Sequence, residues 1–183
     1  MIGSKLVGQT IWITGLSGSG KTTLAKEVVF RLKQQGRVVL LLDGDELRKI
    51  FGAVTFNPSN YNKKSRLDLA MKYANLCKVI SSQGISLVVA TISLFHEVQE
   101  WNRANLLDYF EVYLKVPIEE LRKRDYKGIY RSYDAGKLTN VPGLDLTIEE
   151  PKSADMVVEF IPHRNVSSLA DELIQTLKKR KKY

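Results

Sequence analysis

Residues Gly15 to Thr23 read GLSGSGKTT, joining the strand-like run IWIT to a helical pattern that opens at Thr22. The spacing G-x-x-x-x-G-K-[ST], from Gly15 to Thr22, is that of a phosphate cradle. Glycines let such a loop turn sharply, so that successive backbone N–H groups point at an anion on the N-terminus of the next helix. Gly15, Ser17, Gly18, Ser19, Gly20, Lys21, Thr22 and Thr23 are therefore the candidate contacts to the phosphates of ATP. Lys21 would reach the β- and γ-phosphates, and the Thr22 hydroxyl would take a place on Mg²⁺. A plain Gly/Ser surface loop is the competing reading, and the strand before and helix after it speak against that.

A second chemical cluster, LLDGDELR, ends a buried strand with Asp43, Asp45 and Arg48. Carboxylates beside a triphosphate are repelled unless they hold Mg²⁺ or accept a proton from an attacking hydroxyl. Arg48 could clamp an acceptor's phosphate through two parallel hydrogen bonds. Both aspartates could instead cap the helix that starts near Glu46, and for Asp45 capping and catalysis are compatible. The stretch RDYKGIYRSYDAGK, dense in cations, tyrosines and glycines and lacking apolar periodicity, has the make-up of a lid over polyanions. Its competing reading is a solvated basic helix ending at Gly136. Phosphoryl transfer spreads charge over the γ-oxygens, so the loop amides, Lys21, Mg²⁺ and Arg124 are expected to supply the field that stabilises it.

Positioning these groups falls to alternating elements. Ile11–Thr14, Val38–Asp43, Ile85–Ile92, Tyr109–Val116 and Asp155–Phe160 have the near-continuous apolar character of strands buried on both faces. Helical patterns cover residues 22–35, 63–83, 95–106 and 168–181, with Gly36 and Gly84 where C-caps belong. Strand–helix repetition predicts an α/β fold of P-loop NTPase type, a parallel sheet flanked by helices on both faces. Ligands then bind outside the carboxyl ends of the strands, where the glycine loop departs.

The 183 residues, 44% hydrophobic and 26% charged, suit one domain over 1–183 with a lid at about 124–151. No apolar run is long enough to span a bilayer, and the N-terminal MIGSKLVGQ is too short and polar for a secretory signal. The lone Cys77 sits in an apolar-periodic helix, reads as a buried thiol and fits a reducing cytoplasm. Of the net charge of +8, the run Lys178–Lys182 supplies five, leaving +3 for the body. The basic end at 178–183 therefore reads as a solvated helix terminus and not a nucleic-acid contact. His96 and His163 have no metal-ligand spacing and read as surface or capping residues.

Taken together, GLSGSGKTT, LDGDELR, VVATIS, RDYKGIY, AGKLTNVPGLD and EEPKSADMVV, in order from about Gln9 to Phe160, resemble the adenylyl-sulfate kinase family. The resemblance implies transfer of the γ-phosphoryl of MgATP to the ribose 3′-hydroxyl of a small nucleotide, adenylyl sulfate in that family. It implies that Asp43 organises the Mg²⁺ waters, that Asp45 faces the 3′-hydroxyl, and that Arg48, Ile92 and Ser93 contact the acceptor. Arg124 and Lys127 would open the lid segment that closes over the phosphates. A homodimer is left open, and no membrane or nucleic-acid partner is expected.

The likeness is uneven. In the segment FNPSNYNKKSR, Phe56 and Pro58 match the family, but Tyr61 stands where it has an acceptor-binding arginine and Lys64 where it has an asparagine. Val141 occupies the place of the second aromatic that sandwiches adenine, and Leu94 replaces a proline. Losing one stacking partner forfeits about 1–3 kcal/mol of purine recognition. Two acceptors follow: adenylyl sulfate, with Arg66, Lys63 or Lys64 replacing the arginine, or cytidine diphosphoramidate. The second rests on ATISLF, WNR and TNVPGLD, which resemble a capsule-locus branch of the family. A nucleotide-sensing regulator would carry an N-K-x-D strand end, which does not occur. A sugar or shikimate-type kinase shares the fold and loop.

Overall fold

The computed structural model describes residues 7–53 and 62–180. The first strand, β1 (Thr10–Gly15), is buried along its whole length. It is followed by α1 (Lys21–Gln34), β2 (Val39–Asp43), α2 (Gly44–Ile50), α3 (Lys63–Ser81) and β3 (Ser86–Thr91). The second half runs α4 (His96–Asn105), β4 (Tyr109–Lys115), α5 (Ile118–Arg124), α6 (Ile129–Asp134), β5 (Met156–Glu159) and α7 (Val166–Arg180). All five strands are parallel, in the order β2-β3-β1-β4-β5. The chain leaves β1 toward β2 on one side and leaves β3 toward β4 on the other, which opens a crevice at the carboxyl ends of β1 and β3.

Alternation along β1 sorts the core into two layers. Ile11 and Ile13 face α1 and α7, meeting Leu24, Val28, Leu32, Leu173 and Leu177. Trp12 faces the other way, into Tyr73, Ala74, Cys77 and Val98 of α3 and α4. Leu169, Ala170, Leu173, Ile174 and Leu177 recur at helical spacing on α7, and each large side chain so buried contributes roughly 1.5–3 kcal/mol. Cys77 is wholly buried, which pushes its thiol up to about 12, as the helical setting of that residue predicted.

Two strands differ from the expectation of burial on both faces. In β2 only Val39 is fully buried, and β5 alternates buried and exposed positions, because both lie at sheet edges. Gly36 and Gly84 adopt left-handed φ of 74° and 85° just beyond α1 and α3, as C-cap glycines do. The basic terminus is not wholly solvated. Arg180 donates to the Tyr109 carbonyl at 2.5 Å, pairs with Asp155 at 3.3 Å and lies over the Phe110 ring, fastening α7 to the start of β4.

Candidate active site

Residues Leu16 to Gly20 leave β1 and wrap back to α1 in a loop that needs glycine at Gly18 and Gly20, where φ is 78° and 97°. Gly20 also serves as the N-cap of α1 without a side-chain cap, so the first N–H groups of the helix stay open to an anion. The Lys21 ammonium donates to the Leu16 carbonyl at 2.7 Å, folding the side chain over the loop. Burial, and then the neighbouring Lys127, push this amine down to about 7; Asp43 acts in the opposite direction and Arg48 in the same one.

Thr22, the next residue, donates to Asp43 Oδ2 at 2.6 Å. The register that sets Asp43 beside Ala90 brings the carboxyl end of β2 level with the phosphate loop. The other oxygen of Asp43 accepts the Asp45 N–H at 2.8 Å, so this residue caps α2 while facing Thr22. A hydroxyl and a carboxylate side by side form the hard-oxygen set that suits Mg²⁺.

Asp45 does no capping. Its carboxylate is paired with Arg48, one turn on in α2, and with Lys127, which reaches across from the turn between α5 and α6. Burial, followed by the nearby Arg48, lowers the pKa of Lys127, and Asp43 partly offsets them. These groups line a cleft of about 640 Å³ together with Ser17, Thr23, Arg66, Ile92 and Val141. A side pocket of about 40 Å³ adjoins it, sharing Arg48, Arg66 and Ile92 and lined also by Ser93. The Ser93 hydroxyl lies 3.0 Å from that of Thr91, and the Ile92 carbonyl accepts from Thr14 across the crevice.

The segment expected to form a lid is more regular than its polar composition suggests. It contains α6, which ends just before Gly136 as the basic-helix reading had it, and it packs Tyr130, Val141, Leu138 and Leu144 on Leu16 and Leu94. The Tyr130 hydroxyl donates to the Ser17 carbonyl at 2.9 Å. Asp125 is buried, yet the Arg131 and Tyr130 N–H groups, at 2.9 and 3.2 Å, outweigh that burial and hold its carboxyl below the usual range. Asp145 accepts the N–H groups of Asn140 and Val141 at 2.8 and 2.7 Å, and Arg66 donates to the Asn140 carbonyl at 2.7 Å. Val141 is thereby fixed as a cleft wall at 2% exposure. Lys63 and His96 hold the far end of the lid through Glu149, at 2.7 Å each, which lowers that carboxyl.

Four expected positions lie elsewhere. Arg124 ends α5 with its guanidinium 5.1 Å from the Phe160 ring and does not line the cleft, because a ring on the far side of α5 offers it a cation–π partner. Lys64 is exposed on the first turn of α3, two residues before Arg66, which reaches the Asn140 carbonyl. Gly15, at the end of β1, and Ser19, within the loop, are buried rather than open to the cleft. Phe56 and Tyr61 lie outside the described residues. Reading the sequence named Arg66 only as a substitute for the missing arginine and passed over Tyr126, although it stands within RDYKGIY, because its neighbours Arg124 and Lys127 carried the charge.

The family model described as Adenylylsulphate kinase matches residues 7–159. A cytidine diphosphoramidate kinase of Campylobacter jejuni is 36% identical over 91% of this chain and 95% of its own length. An adenylyl-sulfate kinase of Clostridium kluyveri is 37% identical over 84% of this chain and 77% of its own. The fold superposes on the Mycobacterium tuberculosis APS kinase solved in complex with AMPPNP and APS, with a TM-score of 0.83, 31% identity, and coverage of 94% of this chain and 98% of that one. The match over residues 7–159 and these relatives show that this chain belongs to the adenylylsulphate kinase family.

Proposed function

We propose that this protein transfers the γ-phosphoryl group of ATP to the ribose 3′-hydroxyl of a small nucleotide. The observation that carries the reading is the meeting, in one cleft, of an open phosphate loop, the Thr22–Asp43 pair and a carboxylate, Asp45, held by two cations. Lys21 leaves the Leu16 carbonyl for the phosphates, where its charge meets the developing negative charge. Thr22 and Asp43 would hold Mg²⁺, Asp43 through water, and the ion when bound neutralises the phosphate oxygens. Asp45 takes the proton of the 3′-hydroxyl, while Arg48 and Lys127 turn from Asp45 to the acceptor's own anionic groups. Tyr130 and the apolar side chains around it keep water from the reacting phosphoryl group.

Cytidine diphosphoramidate is the acceptor best supported, by Val141 in place of a stacking ring and by the near full-length likeness to the C. jejuni enzyme. Capsule phosphoramidate biosynthesis would then be the pathway. Adenylyl sulfate, and with it sulfate assimilation, is the second reading, favoured by the family model and the M. tuberculosis neighbour. A reaction fed by ATP and a chain with one buried thiol fit the cytoplasm. The test is kcat/KM for both acceptors on wild type and Val141→Phe. The cytidine reading expects wild type to prefer the cytidine nucleotide and the variant to lose that preference. A wild-type preference for adenylyl sulfate above a hundredfold would eliminate it.

A further inference from the structure

We infer that Tyr126 is a base-stacking residue for the acceptor nucleotide, taking over the role that an aromatic at Val141 would fill. The inference rests on the nucleotide-acceptor reading above and names a contact in that site. Among the described residues, Trp12, Phe110, Tyr109, Tyr113 and Tyr130 are each under 5% exposed, whereas Phe30 and Phe51 are exposed but do not line the cleft. Tyr126 is 89% exposed, and it is the single aromatic side chain among the described residues that line the cleft. A ring left in water forgoes the burial that would stabilise the fold, so its place is not explained by packing.

Its backbone is held from both sides. Asp125, before it, is anchored by the N–H groups of Tyr130 and Arg131, and Lys127, after it, is paired with Asp45 until it turns to the acceptor's anionic groups. A tyrosine has only two side-chain torsions, so a ring on a fixed backbone stacks at low entropic cost. The pairing of Lys127 with Asp45 is what favours the acceptor over the donor as the nucleotide met. Asp45, Arg48 and Lys49 form the cleft wall on the acceptor side, whereas the donor's phosphates belong to the loop at Gly18 to Thr22. Stacking tolerates any base, since every base has a π-face. Tyr126 therefore contributes affinity, and the choice between cytosine and adenine is left to the wall at Val141.

Titration calorimetry on the full chain with saturating AMPPNP, using cytidine 5′-diphosphate and adenylyl sulfate as probes, reads this directly. Tyr126→Ala should weaken whichever acceptor binds wild type by about 5- to 150-fold, and both by a similar factor if both bind. Tyr126→Phe should restore binding to within about threefold of wild type, and AMPPNP affinity measured alone should not move in either variant. An unchanged acceptor Kd in Tyr126→Ala overturns the inference while leaving the proposed function standing. Loss of AMPPNP affinity alone overturns it too, placing the ring on the donor base. Failure of wild type to bind either probe removes the nucleotide-acceptor reading and this inference together.

Discussion

Lys21 gives the site a pH dependence that can be worked through. In the free protein, burial and the charge of Lys127 hold the amine at about 7, against 10.5 in water. A triphosphate in the loop supplies several negative charges within reach and restores the protonated form, so above pH 7 each nucleotide bound should draw in one proton. At pH 9 only about 1% of the free protein carries the charge. Affinity for AMPPNP should therefore be nearly flat from pH 6.5 to 7, then fall by up to about tenfold per pH unit, approaching a hundredfold loss by pH 9. Calorimetry in paired buffers of different ionisation heat counts the proton taken up, and Lys21→Met, which has no proton to gain, should show weak and pH-independent binding. The same shift has a sign for stability. A base with a depressed pKa burdens the fold while charged, so the ligand-free protein should gain stability as pH rises from about 7 toward 10.5. A wild-type Kd that stays constant from pH 7 to 9 with no proton uptake refutes the reasoning.

Asp45→Asn keeps the shape of the residue and removes the acceptor of the proton. Turnover should drop by about two to four decades with AMPPNP affinity little changed, and survival of turnover would reduce Asp45 to a lid anchor. Gly143 has φ of 85°, and a Cβ there would stand 2.8 Å from Leu16 Cδ1 of the phosphate loop. Gly143→Ala should therefore raise the KM for ATP and lower the melting temperature together; a silent variant would show that lid and loop do not bear on each other. Glu111 is buried between Tyr109 and Arg103, and burial raises its pKa, with Tyr109 and Arg103 working against that rise. An acid so shifted favours the fold while protonated, so its contribution falls as pH climbs above 4.5. Glu111→Gln should flatten the difference in melting temperature between pH 4.5 and 7, and identical pH profiles for variant and wild type would contradict it.

The sheet was legible because its central strands are apolar throughout. Ile11–Thr14 and Leu87–Thr91 could only lie between two layers, and the helical spacing of Leu24, Val28 and Leu32 supplied one of those layers. Edge strands betray themselves less. Leu40 is 43% exposed and Val157 49%, yet both belong to runs as apolar as those of the centre, since a strand's place in the order depends on partners far along the chain. The short helix α5 escaped for a related reason, and α6 entered only as the competing reading of a basic helix. Neither is long enough to show a full apolar stripe; α6 is held by Asp125 below it and by Tyr130 on Ser17.

The site divides along the same line. Its donor half is a continuous stretch in which Gly20, Lys21 and Thr22 act through their own backbone and side chains, so spacing alone states the chemistry. The proposed acceptor half draws Asp45 from α2, Arg66 from α3, Ile92 from the end of β3, and Lys127 and Val141 from the proposed lid. Residue type says little there until the fold brings these segments together. Arg66 and Lys64 differ by two positions on one helix, yet only Arg66 reaches the Asn140 carbonyl, because two residues turn a helix by more than half a revolution. Arg124 and Lys127 are likewise three apart, and the end of α5 between them sends one to Phe160 and the other to Asp45. A change of acceptor can therefore evolve by exchanging single residues on these separate segments, such as Val141, without disturbing the loop that holds the donor.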